Sequence, residues 1–197
     1  MTFLSRFGNM SVVDEPVYKS ELVGGLGYVA GFFSQTTDSV VITNTTTETT
    51  LIDGGVGTLS VPANTFLKGN AYSVRIGGII NCQNGDTITL KTKSGSTILG
   101  TTGLITLKQA TNKVWQMDIN FVIREIGISG VASIKTHFFF SYEEDSSDKI
   151  STQAYDVLNN TTFDTTILNT LDITAQWGTA KIQDQIYSTI FNLNKVF

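Results

Sequence analysis

The stretch from Trp115 to Tyr142 constrains the fold more than any other part of the chain. It holds two long runs in which apolar and polar residues alternate. In the first, Trp115, Met117, Ile119, Phe121 and Ile123 share one parity. Gln116, Asp118, Asn120 and Arg124 take the other, and Val122 breaks the pattern. In the second, Ala132, Ile134, Phe138, Phe140 and Tyr142 oppose Ser133, Lys135, His137 and Ser141, with Phe139 the exception. A period of two over this length means β-strand with one buried face. Gly127 to Gly130 reverse the chain between the runs, so the pair reads as an antiparallel hairpin.

The remaining sequence extends the same reading. Ala71 to Cys82 is a strand with Tyr72, Val74, Ile76 and Ile80 on one face; its central Gly77-Gly78 predicts a bulge or the close approach of another element. Asn84-Gly85 is a hairpin turn into 86–93, with Ile88 and Leu90 inward. Ser94-Gly95 turns again into 97–99, and 104–107 is a short apolar strand. Before these, 40–43, 48–52 and 57–61 are short strands, the last stopped by Pro62. After Tyr142 the run EEDSSDK is a surface loop, and 153–160 reads as a short helix or an irregular segment. Strands follow at 161–166 and at 171–177, where Leu171, Ile173, Ala175 and Trp177 share a face. In the last segment, 183–197, Ile186 and Ile190 face one way and Tyr187, Phe191 and Leu193 the other. A strand apolar on both faces is covered on both, which predicts a partner subunit or an internal helical cover.

These elements predict an all-β chain: an antiparallel β-sandwich or jelly roll of about ten strands. The 197 residues suffice for one such domain, 28–197, preceded by an arm or linker, 1–27, that Pro16 and Gly24-Gly25 interrupt. No repeat of propeller or solenoid length is present.

Charge and motifs narrow the function. Charged residues are 15% of the chain, the net charge is -4 and the sequence pI is about 4.9, with no basic stripe. Nucleic-acid binding is disfavoured. No apolar run reaches the ~20 residues that cross a bilayer, and the N-terminus lacks a secretory signal core. The missing signal argues for synthesis and assembly in a cytoplasm, or for export by another route. The single cysteine, Cys82, permits no internal disulfide and reads as a buried apolar residue. The single histidine, His137, lies on the polar side of its strand. Glu143, Glu144, Asp145 and Asp148 lack the spacing of a calcium loop. GGLG at 24–27 precedes a strand, so it is no phosphate loop. The expectation is no enzyme, no cofactor and no metal. Exposed aromatics such as Phe139 and Tyr187 suit an interface or a sugar platform.

The segments GVGTLSVPANTFLKGNAYSVRIGGII, VWQMDINFVIREIGISGVASIKTHFFFSY and NNTTFDTTILNTLDITAQWG, in this order, resemble trimeric tumour-necrosis-factor-like jelly-roll heads. Such heads occur in large DNA viruses of the marseillevirus-like giant-virus kind and on phage fibres. VPANTF and LDITAQWG are the most particular of these strings, and the similarity covers 28–197. The resemblance implies a tight homotrimer with a virion-associated structural or attachment role. Other virion proteins, or a host-surface glycan or receptor, are the implied partners. The residues expected at the trimer axis are Phe33, Phe139, Tyr187 and Phe191. The alternative reading is a carbohydrate-binding β-sandwich module.

Overall fold

The computed structural model describes residues 30–146 and 149–197, so the expected arm at 1–27 lies outside the described residues. Fourteen strands follow one another. They are β1 (Ala30–Gln35), β2 (Ile42–Thr43), β3 (Thr49–Thr50), β4 (Gly55–Gly57), β5 (Ser60–Val61), β6 (Ala71–Cys82) and β7 (Thr87–Ser94), then β8 (Thr97–Thr101), β9 (Ile105–Thr106), β10 (Ala110–Ile126), β11 (Val131–Glu143), β12 (Ile150–Asp164), β13 (Asn169–Trp177) and β14 (Gln185–Lys195). The count exceeds ten because β2, β3, β5 and β9 are two-residue strands that splint longer neighbours.

All strand pairs are antiparallel. The larger sheet runs β12-β11-β10-β6-β14-β1-β4, with β2 also on β14; the smaller runs β3-β13-β7-β8, with β5 on β13 and β9 on β7. Taking β1, β3, β6, β7, β8, β10, β13 and β14 as a kernel, the two sheets read 1-8-3-6 and 2-7-4-5. That alternation of sheets along the chain is the jelly-roll order. The β11–β12 hairpin is an addition between the sixth and seventh kernel strands, and it widens only the larger sheet.

The alternating runs do what their period dictates. Trp115 stands opposite Tyr142, Met117 opposite Phe140 and Ile119 opposite Phe138, and the inward side chains are almost wholly buried. Trp115 and Trp177 are buried to the indole, and each places its N–H on a carbonyl: Trp115 Nε1 donates to Tyr187 O at 3.0 Å and Trp177 Nε1 to Ile42 O at 3.1 Å. Burying an indole without such an acceptor would cost the desolvation of its donor. At one end of the sandwich Phe66, Tyr72, Phe121 and Phe163 pack ring on ring, with Tyr72 stacked on Phe121 at 5.1 Å. A gap of about 30 Å³ remains there.

Two sequence readings are corrected. The segment 153–160 is neither helix nor irregular; it lies within β12, paired with β11 without interruption from Ile134 to Glu143. Tyr155 stacks on Phe138 at 4.8 Å and anchors it. The second correction concerns β14. Opposite Gly78 and Gly77 stand Ser188 and Ile190, so Thr189 is an extra residue in a bulge. The bulge switches the parity: Ile186, Phe191 and Leu193 all face the core, while Tyr187 and Ile190 face out. The strand is therefore not apolar on both faces along its length.

The glycine pair makes this bulge possible. A Cβ on Gly78 would lie 2.0 Å from Tyr187 O, so only glycine admits the bulged strand. Ser188, fully buried, pins it by donating to Leu51 O at 2.6 Å and accepting from Gln35 Nε2 at 2.9 Å.

Candidate functional site

The outer face of the larger sheet is the surface that the fold leaves most distinctive. Register places its side chains in rows across the strands. In one row Val114 of β10, Ile79 of β6 and Tyr187 of β14 are neighbours. In the next, Gln116, Gly77 and Ile190 are neighbours. Val114 is 60% exposed and Ile190 48%, while Ile79 and Tyr187 are half-buried. The four make an apolar patch at one end of the face. Beside it a groove of about 320 Å³ runs between Val114, Gln116, Ser141 and Glu143 and ends on Ile150.

Away from that end the same face turns polar. Arg75 and Asp118 stand directly opposite one another and pair at 3.0 Å. Asp118 also accepts from Gln116 Nε2. Lys135 reaches Asp156 at 2.6 Å, and back at the patch end Lys113 reaches Glu143 at 2.6 Å. Exposed ion pairs of this kind add little stability but keep the sheet surface wet. Phe139 lies among them, 40% exposed, its ring edge-on to His137 at 4.7 Å.

The residues expected at a trimer axis separate on this structure. Tyr187 and Phe139 are on the outer face, in different rows. Phe191 is fully buried inside the sandwich, because the bulge turns it inward. That removes it from any surface a neighbour could touch. Phe33 packs edge-on against Phe191 at 5.8 Å and is partly buried with the core, so it too serves the interior. The sequence reading missed Val114, Ile79 and Ile190. The first two sit at polar parity in their strands, a signal that was available; Ile190 was hidden by the bulge.

The other singled-out groups find structural partners. Cys82 is buried, its Sγ donating to Lys108 O at 3.2 Å, and burial pushes its thiol up to about 12. It faces the core from β6 while His137 faces outward from β11, so they form no thiol–imidazole pair. Asp145 accepts from Thr111 N at 2.8 Å and Thr111 Oγ1 at 2.7 Å, which hold its carboxyl below the usual range. Glu144 accepts from Ser151. Asp148 lies outside the described residues. Among the described residues no group of three or more His, Cys, Asp or Glu could hold a metal ion.

One buried polar cluster was not anticipated. Asp86, in the β6–β7 turn, and Asp184, before β14, are 5% and 1% exposed. Lys181 pairs with Asp86, and Gln83 N donates to Asp86 Oδ2 at 2.6 Å. Burial works against the Asp86 charge, but the ammonium and the amide outweigh it and hold its carboxyl low. Burial, and then the Asp86 carboxylate beside it, push Asp184 up to about 7. Its Oδ1 has no hydrogen-bond partner. The cluster clamps two loops together around Lys181. On the smaller sheet Lys91 and Lys93 both grip Glu48; burial opposes that charge, yet the two lysines bring its carboxyl down to about 2.

No protein-family profile and no curated protein matches this chain. Among solved structures, one described as the CBM2 module of Lactobacillus casei BL23 phage J-1 evolved Dit is similar at 8% identity and a TM-score of 0.25. The match covers 69% of this chain and 65% of that one, and at this TM-score it carries no argument about function.

Proposed function

We propose that this chain is a non-enzymatic head domain: a homotrimer of the tumour-necrosis-factor-like kind, on or associated with a virion, with a structural or attachment role. The observation that carries the reading is the apolar patch of Ile79, Val114, Tyr187 and Ile190 on a sheet whose inner face already fills the core. Clustered apolar side chains on an outer face, rimmed by paired charges, have the composition of a protein interface. The segments that carry the resemblance are structural here. Val61 closes β5, the chain turns through Asn64, and Phe66 enters the core; Leu171 to Trp177 is the body of β13. The viral attribution rests on that resemblance.

Light scattering behind a sizing column tests the assembly. The expected mass is three times the chain's 21.4 kDa, stable on dilution. Val114→Asp and Ile190→Asp are expected to reduce it to one chain without loss of fold, since a charge buried at an interface costs several kcal/mol. A folded wild-type monomer overturns the trimer. A second reading, glycan binding, is favoured by one feature, the exposed Phe139 ring between Asp118 and His137. A glycan array on which Phe139→Ala abolishes a wild-type signal would establish it; a blank array removes it.

A further inference from the structure

The edge of β12 presents an unfinished ladder. β12 closes one side of the larger sheet, and among the described residues no strand pairs with its outer edge. Glu144 N donates to Lys149 O at 2.8 Å, which sets the alternation of the β11–β12 ladder. The register is unbroken from there to Ile134, so 149, 151, 153, 155 and 157 turn their backbone groups to β11. Residues 150, 152, 154, 156 and 158 turn theirs outward. Beyond them the edge is closed: Asn159 Oδ1 accepts from Thr161 N and Thr162 N, and its amide donates to Ile98 O. The open stretch is about 30 Å long at roughly 3.4 Å per residue.

We propose that this edge pairs antiparallel with the same edge of a second copy of the chain, centred on Ala154. The sequence is self-complementary about that residue. Ile150 meets Leu158 of the partner, Thr152 meets Asp156, and Ala154 meets its own copy. Ile150 and Leu158 are 69% and 48% exposed in one chain, and each gains an apolar neighbour. The Thr152 hydroxyl donates to an Asp156 carboxylate whose charge is already matched by Lys135 at 2.6 Å. No like charges meet. All five outward residues engage, giving about ten inter-chain hydrogen bonds. A register centred on Asp156 would instead set carboxylate against carboxylate. The stretch is weakly guarded against pairing: its one charge, Asp156, is matched by Lys135, and it has no lysine, proline or bulge, the devices that keep exposed edges apart. This pairing is independent of the apolar patch and joins building blocks of either one chain or three.

The full chain tests it. Light scattering across a dilution series is expected to show wild type reaching twice the mass of its smallest species. Ala154→Pro, which removes an outward N–H and leaves the β11 ladder intact, is expected to stay at the smallest species. With oxidised glutathione, Ala154→Cys is expected to give a disulfide-linked pair of chains, since residues paired in this way have Cα atoms ~5.5 Å apart. Thr152→Cys, which faces Asp156, is expected to give none, and Cys82 is buried. The proposal is overturned if Ala154→Pro leaves the mass series unchanged, or if position 152 links as readily as 154, or if neither links. The cross-link decides if Ala154→Pro fails to fold. Loss of the trimer alone would leave the doubling in place.

Discussion

The larger sheet is finished differently on its two sides. On one side β4 is three residues long, two of them glycines. A Cβ on Gly55 would lie 2.2 Å from Ser34 O, and Gly57 sits at φ 106, a left-handed conformation that ends the strand at once. On the other side β12 runs for 15 residues without a glycine, proline or lysine. The smaller sheet ends in a two-residue β3 and a five-residue β8. Among the described residues nearly all the long exposed edge thus lies on one strand, and it is a strand the jelly-roll order does not require. Among the described residues the added hairpin therefore carries the longest open edge.

The contrast between sealed interior and open surface is sharpest in two phenylalanines. Phe191 is fully buried behind β1, whereas Phe139 is 40% exposed on the face beside β12. Phe191→Ala is expected to cost about 3–5 kcal/mol in urea unfolding of the smallest species. Phe139→Ala is expected to fall within about 1 kcal/mol of wild type. Similar costs for the two would break the distinction. A smaller effect is expected at the sealed edge itself. Gly57→Ala places a Cβ 2.2 Å from Phe32 O at a positive φ, for about 2 kcal/mol in the same assay. A neutral result would mean that β4 does not depend on its glycines to close the sheet.

How far the sequence anticipated this arrangement depended on which faces of a strand are buried. β10 and β11 were legible because one face meets the core and the other meets water, so hydrophobicity alternates. β6 and β7 were legible for the same reason, with Asn84-Gly85 marking the turn between them. Only the end of β12, within the strand read at 161–166, was legible; the rest was not, because most of both its faces are solvated and Gln153, Asp156 and Asn160 carry no period. β14 was half legible. Its strand character was clear, but Thr189 inserts one residue and inverts every assignment after it, so a strict period of two wrongly groups Phe191 with Tyr187 and Ile190 with Ile186. The apolar face depends on that inversion, and the only hint of it was the Gly77-Gly78 pair on the neighbouring strand. The Asp86–Lys181–Asp184 cluster joins residues nearly a hundred positions apart, and no local pattern announces such a contact.

That cluster also separates sealed from open, through the direction in which its acids titrate. Asp145, before β12, and Asp164, its last residue, accept from threonine hydroxyls and amides and titrate below the usual range. Asp184, buried against Asp86, titrates near 7. A carboxyl whose folded value is raised keeps its proton in the native state after the unfolded chain has lost it. Between about pH 4 and pH 7 the native state therefore binds more protons at this site, and its contribution to stability falls as pH rises. Asp86 acts in the opposite sense, but its stabilisation is lost only in acid, below the unfolded value of 3.8, so it does not mask the neutral range. Lys181 is the cation facing both carboxyls. Asp184→Asn supplies an amide donor in place of the retained proton and cannot ionise. Its stability relative to wild type is expected to improve by about 1 kcal/mol or more between pH 5 and pH 7, where one bound proton corresponds to ~1.4 kcal/mol per pH unit. Urea midpoints at those two pH values measure it. Parallel curves for the two proteins would mean that Asp184 is ionised in the native state, and that the loop clamp is held by charge pairing with Lys181 and not by a shared proton.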